Sequence, residues 1–166
     1  MAGYRGHIYA AVAVGVVLVG GLAISPLGAT LSASEKIVKA TGVLGIAIVF
    51  GLFPDVDIKS RGQLLFFRLV FALDVLLVAT GRFREAAILG LIALVSILSR
   101  HRGWTHTVWA ALLVPLPILV GAFYLARESV GNPYVDGLPY YLGAVAGYMS
   151  HLLLDGTLVR PRRRKH

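Results

Sequence analysis

The stretch IYAAVAVGVVLVGGLAISPL, residues Ile8–Leu27, contains no charged side chain. The hydrocarbon core of a bilayer takes roughly 20 residues of helix, so this stretch is long enough to cross it. Backbone polar groups in lipid must find their hydrogen-bond partners inside the protein, which excludes an open strand. The stretch therefore predicts a transmembrane helix and places the chain among membrane proteins.

The composition of the whole chain agrees with this interpretation. Of the 166 residues, 57% are hydrophobic and 14% are charged, whereas charged residues make up about a quarter of a typical soluble domain. The mean hydropathy is +0.78. These values exclude a disordered chain. The absence of cysteine excludes disulfides, cysteine-bound zinc, iron–sulfur clusters and thiol nucleophiles.

Five further apolar segments follow the first: Val38–Phe53, Leu64–Thr80, Ala86–Ser99, Val108–Ala126 and Leu138–Leu158. We expect an all-α, multi-pass transmembrane helical bundle with about six helical segments, of which five or six are full spans. Ala86–Ser99 is short for a span, so it either crosses the membrane or stays buried in it without crossing. Residues 1–159 should form a single membrane-embedded domain, followed by a basic tail at 160–166.

The distribution of Lys and Arg predicts the orientation, because cytoplasmic loops carry an excess of these residues. With six spans, ten of the 16 basic residues lie on one side: Arg5, Lys59, Arg61, Arg100, Arg102, Arg160, Arg162, Arg163, Arg164 and Lys165. Five lie on the other side: Lys36, Lys39, Arg82, Arg84 and Arg127. Both termini should therefore face the cytoplasm, with the protein in the inner membrane. The net charge of +8 sits mostly in short loops and the tail, so no nucleic-acid partner is expected.

Polar residues interrupt the apolar chain at four places. They are His7, the pair Asp55 and Asp57, the run His101–His106, and the pair His151 and Asp155. With six spans, each of these places lies at the cytoplasmic end of its helix. The four places should therefore meet at one face of the membrane.

His151 and Asp155 lie four residues apart, on the same face of a helix. An unpaired charge inside an apolar span costs roughly 2.5–3.5 kcal/mol. A bound metal ion offsets this cost, since imidazole and carboxylate are ligands of zinc and of manganese. The alternative is a mutual hydrogen bond that orients a buried histidine.

Asp55 and Asp57 follow Pro54 at the end of the second segment. In an extended chain, alternate side chains face the same way, so the two carboxylates would lie together. Two adjacent carboxylates repel unless a cation lies between them, which favours a metal. The alternative is a solvated turn.

The run from His101 to His106 combines histidines with Arg102. A guanidinium binds phosphate or carboxylate through two parallel hydrogen bonds, so Arg102 indicates an anionic substrate. His106 is a candidate metal ligand, and His101 is either a ligand or a general acid/base. Thr105 is expected to cap the following helix. The alternative is a basic loop at the membrane surface.

The sequence resembles the YdjM-type membrane-bound metal-dependent hydrolases, also described as LexA-binding, inner-membrane-associated hydrolases. The resemblance rests on Gly6-His7, on the stretch 52–57 (LFPDVD), on 101–107 (HRGWTHT) and on 147–155 (GYMSHLLLD), in the order of that family. The chain departs from the usual family pattern at Ile58, at Thr107 and after Asp155.

The resemblance implies a multi-pass membrane protein with a metal-dependent hydrolytic site. By position, the candidate ligands are His7, Asp55, Asp57, His106, His151 and Asp155, and the other site residues are His101 and Arg102. We expect one or two divalent ions, zinc or manganese. Asp57 would be a bridging ligand or general base, Arg102 would bind the substrate anion, and His101 would transfer a proton.

The expected function is therefore hydrolysis of a phosphoester or another anionic substrate, with a lipid among the candidates, at the cytoplasmic face of the bilayer. One alternative is a phosphatase with a histidine nucleophile. Ala110 stands where the motif of those enzymes requires aspartate, which argues against it. The other alternative is a non-catalytic metal-binding membrane protein or transporter.

Overall fold

The computed structural model describes residues 3–57, 61–98, 104–126 and 133–156. These residues form eight α-helices and one 3-10 helix, and they contain no β-strand. The helices are α1 (Tyr4–Ile24), α2 (Pro26–Thr30), α3 (Ala33–Leu52), the 3-10 helix Phe53–Asp57, α4 (Arg61–Ala79), α5 (Phe83–Leu98), α6 (Val108–Leu113), α7 (Leu116–Ala126) and α8 (Pro133–Leu154). The expected all-α fold is confirmed for the described part of the chain. The tail at 160–166 lies outside it.

Within the described residues, each of the six apolar segments is helical, but several ends differ from the predicted ones. The first segment divides at Ser25, whose hydroxyl accepts a hydrogen bond from the amide of Gly28 and caps α2. Helix α3 begins at Ala33, before Val38, because Ser32 and Glu35 form a reciprocal capping box. Hydropathy does not report these polar caps, so the ends predicted from the apolar runs are wrong at these two places.

The last two segments also differ from their predicted form. The segment Val108–Ala126 is divided into α6 and α7 at Val114 and Pro115, since proline has no amide hydrogen to continue the helical ladder. Helix α8 ends at Leu154 rather than at Leu158. Gly156 has a φ of 67°, a left-handed conformation that ends helices and favours glycine.

Small residues allow α1, α3 and α8 to pack closely against one another. A Cβ atom on Gly147 of α8 would overlap with the carbonyl oxygen of Ala47 on α3. A Cβ atom on Gly51 of α3 would lie 2.7 Å from the Cβ of Ala11 on α1. The backbones therefore approach as in other helix pairs with small residues at the interface.

The remaining helices surround this central group. Helices α4 and α5 pack as a hairpin, and α7 packs against α8. Aromatic rings fill the space beside the 3-10 helix, where Phe53 lies 5.6 Å from Phe66 and 5.8 Å from Tyr148, measured between ring centroids. The core thus reaches the 3-10 helix that carries Asp55.

Two helical stretches among the described residues are long and apolar enough to cross a membrane, Tyr4–Ile24 and Ala33–Asp55. Helices α4 and α8 contain 19 and 22 residues. The expectation of five or six full spans remains a prediction.

The contact at Gly147 predicts a stability effect. Gly147→Ala should lower the free energy of unfolding by about 1–3 kcal/mol, because the added methyl group must push two helix backbones apart. Gly45→Ala is the control, since a Cβ atom there meets nothing within 4 Å and alanine is the better helix former. Reversible unfolding in mixed micelles measures both variants. Equal stability of the two would contradict the close approach of α3 and α8.

Candidate metal centre

Five predicted site residues meet at one end of the bundle. His7 lies in the first turns of α1, and Asp55 lies in the 3-10 helix that follows α3. His106 lies in the turn before α6, His151 in the last turn of α8, and Asp155 directly after α8. Helix α1 starts at this end, whereas α3 and α8 finish there. The antiparallel arrangement therefore brings together residues far apart in sequence.

Four of these residues form a group in which all ligand atoms lie within 4.8 Å of one another: Asp55, His106, His151 and Asp155. We call it the four-residue cluster. Nε2 of His106 lies 3.7 Å from Oδ1 of Asp55 and 3.6 Å from Oδ2 of Asp155. Nε2 of His151 lies 3.6 Å and 3.5 Å from the same two oxygens. Each imidazole therefore faces both carboxylates.

These distances fit a shared ion better than direct hydrogen bonds. An N–H···O hydrogen bond spans about 2.7–3.2 Å, which is shorter than all four separations. Two atoms bonded to one tetrahedral zinc ion at about 2.0–2.2 Å lie roughly 3.3–3.6 Å apart. Two carboxylates carry two negative charges, and this matches a divalent cation held with two neutral imidazoles.

The orientation of His151 also favours a metal. Its Nδ1 lies 2.8 Å from the carbonyl oxygen of Gly51, and the contact is buried. Because a carbonyl oxygen only accepts, Nδ1 must carry the hydrogen and donate it. Nε2 of the neutral ring then has a free lone pair directed at the cluster, and it is buried without a hydrogen-bond partner. A backbone carbonyl commonly holds metal-binding histidines in this way. The alternative of a direct His151–Asp155 hydrogen bond has no support in this geometry.

His106 is held by the turn at 104–107. Its Nδ1 lies 3.2 Å from the hydroxyl of Thr105. The hydroxyl of Tyr148 on α8 donates a buried hydrogen bond of 2.6 Å to the backbone carbonyl of Thr105. Thr107, not Thr105, caps α6, since its hydroxyl accepts from the amide of Ala110. The cap expected at Thr105 is therefore wrong by two residues, and Thr105 instead contacts the candidate ligand.

His7 lies beside the four-residue cluster rather than in it. Its ring stacks on His151 with a centroid separation of 3.8 Å. Its Nε2 lies 3.6 Å from Oδ1 of Asp155, whereas Oδ2 of the same carboxylate faces His106 and His151. Asp155 thus contacts imidazoles on both sides. His7 can position this carboxylate or share it with a second ion.

The profile of the YdjM inner membrane protein family matches residues 1–162. The chain belongs to the YdjM inner membrane protein family. No curated relative and no solved structure matches it. The resemblance noted from the motifs is confirmed, and the expected contact with a lipid bilayer follows from membership in a family of inner membrane proteins.

The candidate metal centre of this YdjM-family protein is buried on one side and open on the other. The side chains of His151, His7 and Asp155 are 0%, 1% and 6% exposed. Those of His106 and Asp55 are 19% and 23% exposed. Among the described residues of the cluster, His106 and Asp55 are therefore the more exposed, and we call the edge that they form the open edge.

The other predicted site residues have different outcomes. Asp57 ends the 3-10 helix, so the extended backbone expected between Asp55 and Asp57 is wrong. The role of Asp57 as bridging ligand or base stays a prediction. His101 and Arg102 lie outside the described residues, and their roles also stay predictions.

Tyr148 is a supporting residue that the functional analysis of the sequence did not single out. It precedes His151 by three positions and Asp155 by seven, so all three lie along one face of a helix. The spacing of these polar groups within an apolar helix is the sequence signal that could have indicated a role for Tyr148 beside His151 and Asp155. Its hydrogen bond connects the helix that carries His151 to the turn that carries His106.

The hydrogen bond of Tyr148 predicts a measurable effect on metal affinity. Tyr148→Phe should weaken metal binding by about 10–100-fold, as is typical when a group that supports a metal ligand is lost. Tyr141→Phe is a matched control, because the hydroxyl of Tyr141 donates to the carbonyl of Leu112 on α6 at 3.1 Å without contacting a ligand residue. Competition with a fluorescent zinc chelator measures both affinities. An equal loss in both variants would show that Tyr148 has only a structural effect.

Proposed function

We propose that this protein is a membrane-bound metal-dependent hydrolase whose metal centre lies at the cytoplasmic face of the inner membrane and acts on a phosphoester or another anionic substrate. The observation that supports it best is the four-residue cluster. Its ligand atoms lie within 4.8 Å of one another, and Nε2 of His151 is buried without a hydrogen-bond partner.

The four cluster residues Asp55, His106, His151 and Asp155 would hold the ion. Nitrogen and carboxylate ligands suit zinc and manganese. A bound ion of this kind lowers the pKa of a coordinated water to about 7 and polarises the bond to be cleaved. His7 would hold Asp155 in place or provide a ligand to a second ion.

The remaining residues would act on the substrate and the proton. Arg102 would bind the anionic group through its guanidinium. Asp57 would accept a proton as general base, and His101 would pass a proton to the leaving group. The substrate would enter along the open edge, where His106 and Asp55 are 19% and 23% exposed.

The position of the cluster argues for an enzyme over a transporter. Transporters commonly bind their ions near the middle of the membrane, between broken helices. Here Asp55 follows α3, His106 precedes α6, and His151 and Asp155 lie in the last turn of α8 and directly after it. The cluster is therefore at the ends of these helices and beside the start of α1. Metal uptake into vesicles that contain the purified protein would favour the transporter instead.

The central test replaces the buried ligands by apolar residues. His151→Leu and Asp155→Leu should abolish stoichiometric metal binding and hydrolysis. The metal-free Asp155→Leu protein should be at least as stable as the metal-free wild type, because the change removes a buried polar group from an apolar environment. His151→Leu also removes the buried hydrogen bond to the Gly51 carbonyl, so it should cost about 1–3 kcal/mol in the absence of metal. Elemental analysis, a phosphoester screen with and without chelator, and thermal unfolding provide the three measurements.

The wild type should gain about 2.7 kcal/mol of stability when free metal exceeds the dissociation constant a hundredfold, and both variants should lose this gain. Asp74→Leu is the control, because it removes a carboxylate of α4 that lies outside the four-residue cluster. If His151 and Asp155 only form a structural hydrogen bond, the single changes should cost about 1–3 kcal/mol and leave the metal content unaltered. That outcome, or a variant with full metal content and activity, would refute the proposed site.

The proposed topology has six spans and both termini in the cytoplasm. Reporter fusions after Thr30 and Val130 should then be located outside, and fusions after Ile58 and His166 inside. The basis is the excess of Lys and Arg on one side of the predicted spans. A cytoplasmic reporter at Val130 would mean that Ala86–Ser99 does not cross, which would contradict the placement of all ligands at one membrane face.

A further inference from the structure

An apolar cavity of about 240 Å³ lies between α5 and the α6–α7 pair. Helix α5 packs mainly against α4, and α7 packs mainly against α8, so the cavity occupies the seam between two helix pairs. Its walls are apolar and aromatic, and they include Phe53, Ile88, Leu91, Trp104, Leu113 and Pro117. We call it the seam cavity.

One end of the seam cavity lies beside the metal centre. Phe53 stands two residues before Asp55 in the same 3-10 helix. Trp104 stands two residues before His106 in a turn fixed by a 2.7 Å hydrogen bond from the hydroxyl of Thr107 to the Trp104 carbonyl. Asp55 and His106 are also the residues that form the open edge. The 3-10 helix and the turn that supply the open edge therefore also supply two walls of the seam cavity.

The cavity extends away from the centre along the helices. Pro117 lies in α7, and α6 separates it from the turn that carries His106. Leu91 and Leu113 line the cavity and remain 60% and 56% exposed on the outer surface of the bundle. In a membrane that surface faces hydrocarbon, so the seam is open to acyl chains.

We propose that the seam cavity binds the hydrocarbon chain of a lipid phosphoester, the headgroup of which lies at the open edge of the metal centre. This inference rests on the proposed function and specifies its substrate class. In the hydrolysis, the P–O bond to the lipid alcohol breaks. Water supplies the hydroxyl that stays on phosphorus and the proton that goes to the departing alcohol oxygen.

The size and chemistry of the cavity favour this occupant. Pockets for drug-sized molecules measure about 300–1,000 Å³ and contain several convergent polar groups. The seam cavity is smaller and its walls are apolar, which suits a single alkyl chain. A water-soluble phosphoester would leave the cavity unused. The net charge of +8 favours an anionic headgroup over a cationic one.

The test measures binding without turnover. Butyl-, octyl- and dodecylphosphonate cannot be hydrolysed at the C–P bond, and each is titrated into the zinc-loaded full chain in detergent micelles by calorimetry. Affinity should rise by roughly three- to fourfold for each methylene that enters the cavity. Alkyltrimethylammonium ions with the same alkyl chains serve as the control for partition into the micelles. Once the signal from protein-free micelles is subtracted, their binding should show no comparable increase with chain length.

A larger side chain that fills the cavity should remove the increase in phosphonate affinity with chain length. Ile88→Phe should weaken dodecylphosphonate binding relative to butylphosphonate binding by roughly 10- to 60-fold, because two to three methylenes lose their place. Leu94→Phe is the matched control, since Leu94 lies on the same helix, 50% exposed and outside the cavity lining. Leu91→Phe is a second filling variant in case Ile88→Phe unfolds. Metal content and thermal unfolding report folding.

The outcomes separate this inference from the proposed function. Two results would overturn the lipid assignment. One is a phosphonate affinity that does not depend on chain length, and the other is an equal increase in affinity with chain length in folded Ile88→Phe and folded Leu94→Phe. Neither result would exclude hydrolysis of soluble phosphoesters. Chain-dependent binding that Ile88→Phe removes would support the cavity as a lipid site. If no phosphoester were hydrolysed in that case, the hydrolase function alone would fail.

Discussion

The hydrogen bond from Nδ1 of His151 to the carbonyl of Gly51 couples the packing of the helices to the chemistry of the site. The bond can form only because α3 and α8 approach closely enough for a side chain of one helix to reach the backbone of the other. That approach depends on Gly147, where a side chain would overlap with the Ala47 carbonyl. The close approach of α3 and α8 therefore brings His151 within reach of the Gly51 carbonyl. The hydrogen bond that results determines which nitrogen of His151 faces the four-residue cluster.

The four-residue cluster has a simple origin in the topology. Its residues come from a 3-10 helix, a turn and the end of a helix, and none of these elements can place a ligand without its neighbours. Tyr148 supplies one connection, since its hydroxyl holds the Thr105 carbonyl. His7 supplies another through its stacked contact with His151. Loss of the packing would therefore separate the ligands even if each residue were retained.

Much of the fold could be predicted because it follows from apolar runs, and lipid allows few alternatives to a helix. The cluster residues could be predicted because a histidine and a carboxylate inside an apolar helix require an explanation. What could not be predicted depends on local hydrogen bonds that hydropathy does not report. The 3-10 helix at Asp55, the cap at Thr107 and the division of a helix at Pro115 are of this kind. The connection through Tyr148 needed a contact across 43 residues, which a single sequence does not show.

The unequal burial of the ligands also determines how an ion can be exchanged. His151 and Asp155 are held by α8 and lie almost fully inside the protein, whereas Asp55 and His106 belong to short connecting elements and remain partly exposed. In the proposed site, a chelator from solution would meet the second pair first. Exchange of the ion would then depend on the short elements that carry Asp55 and His106 rather than on unpacking of α8, so the kinetics of exchange would report on these two elements.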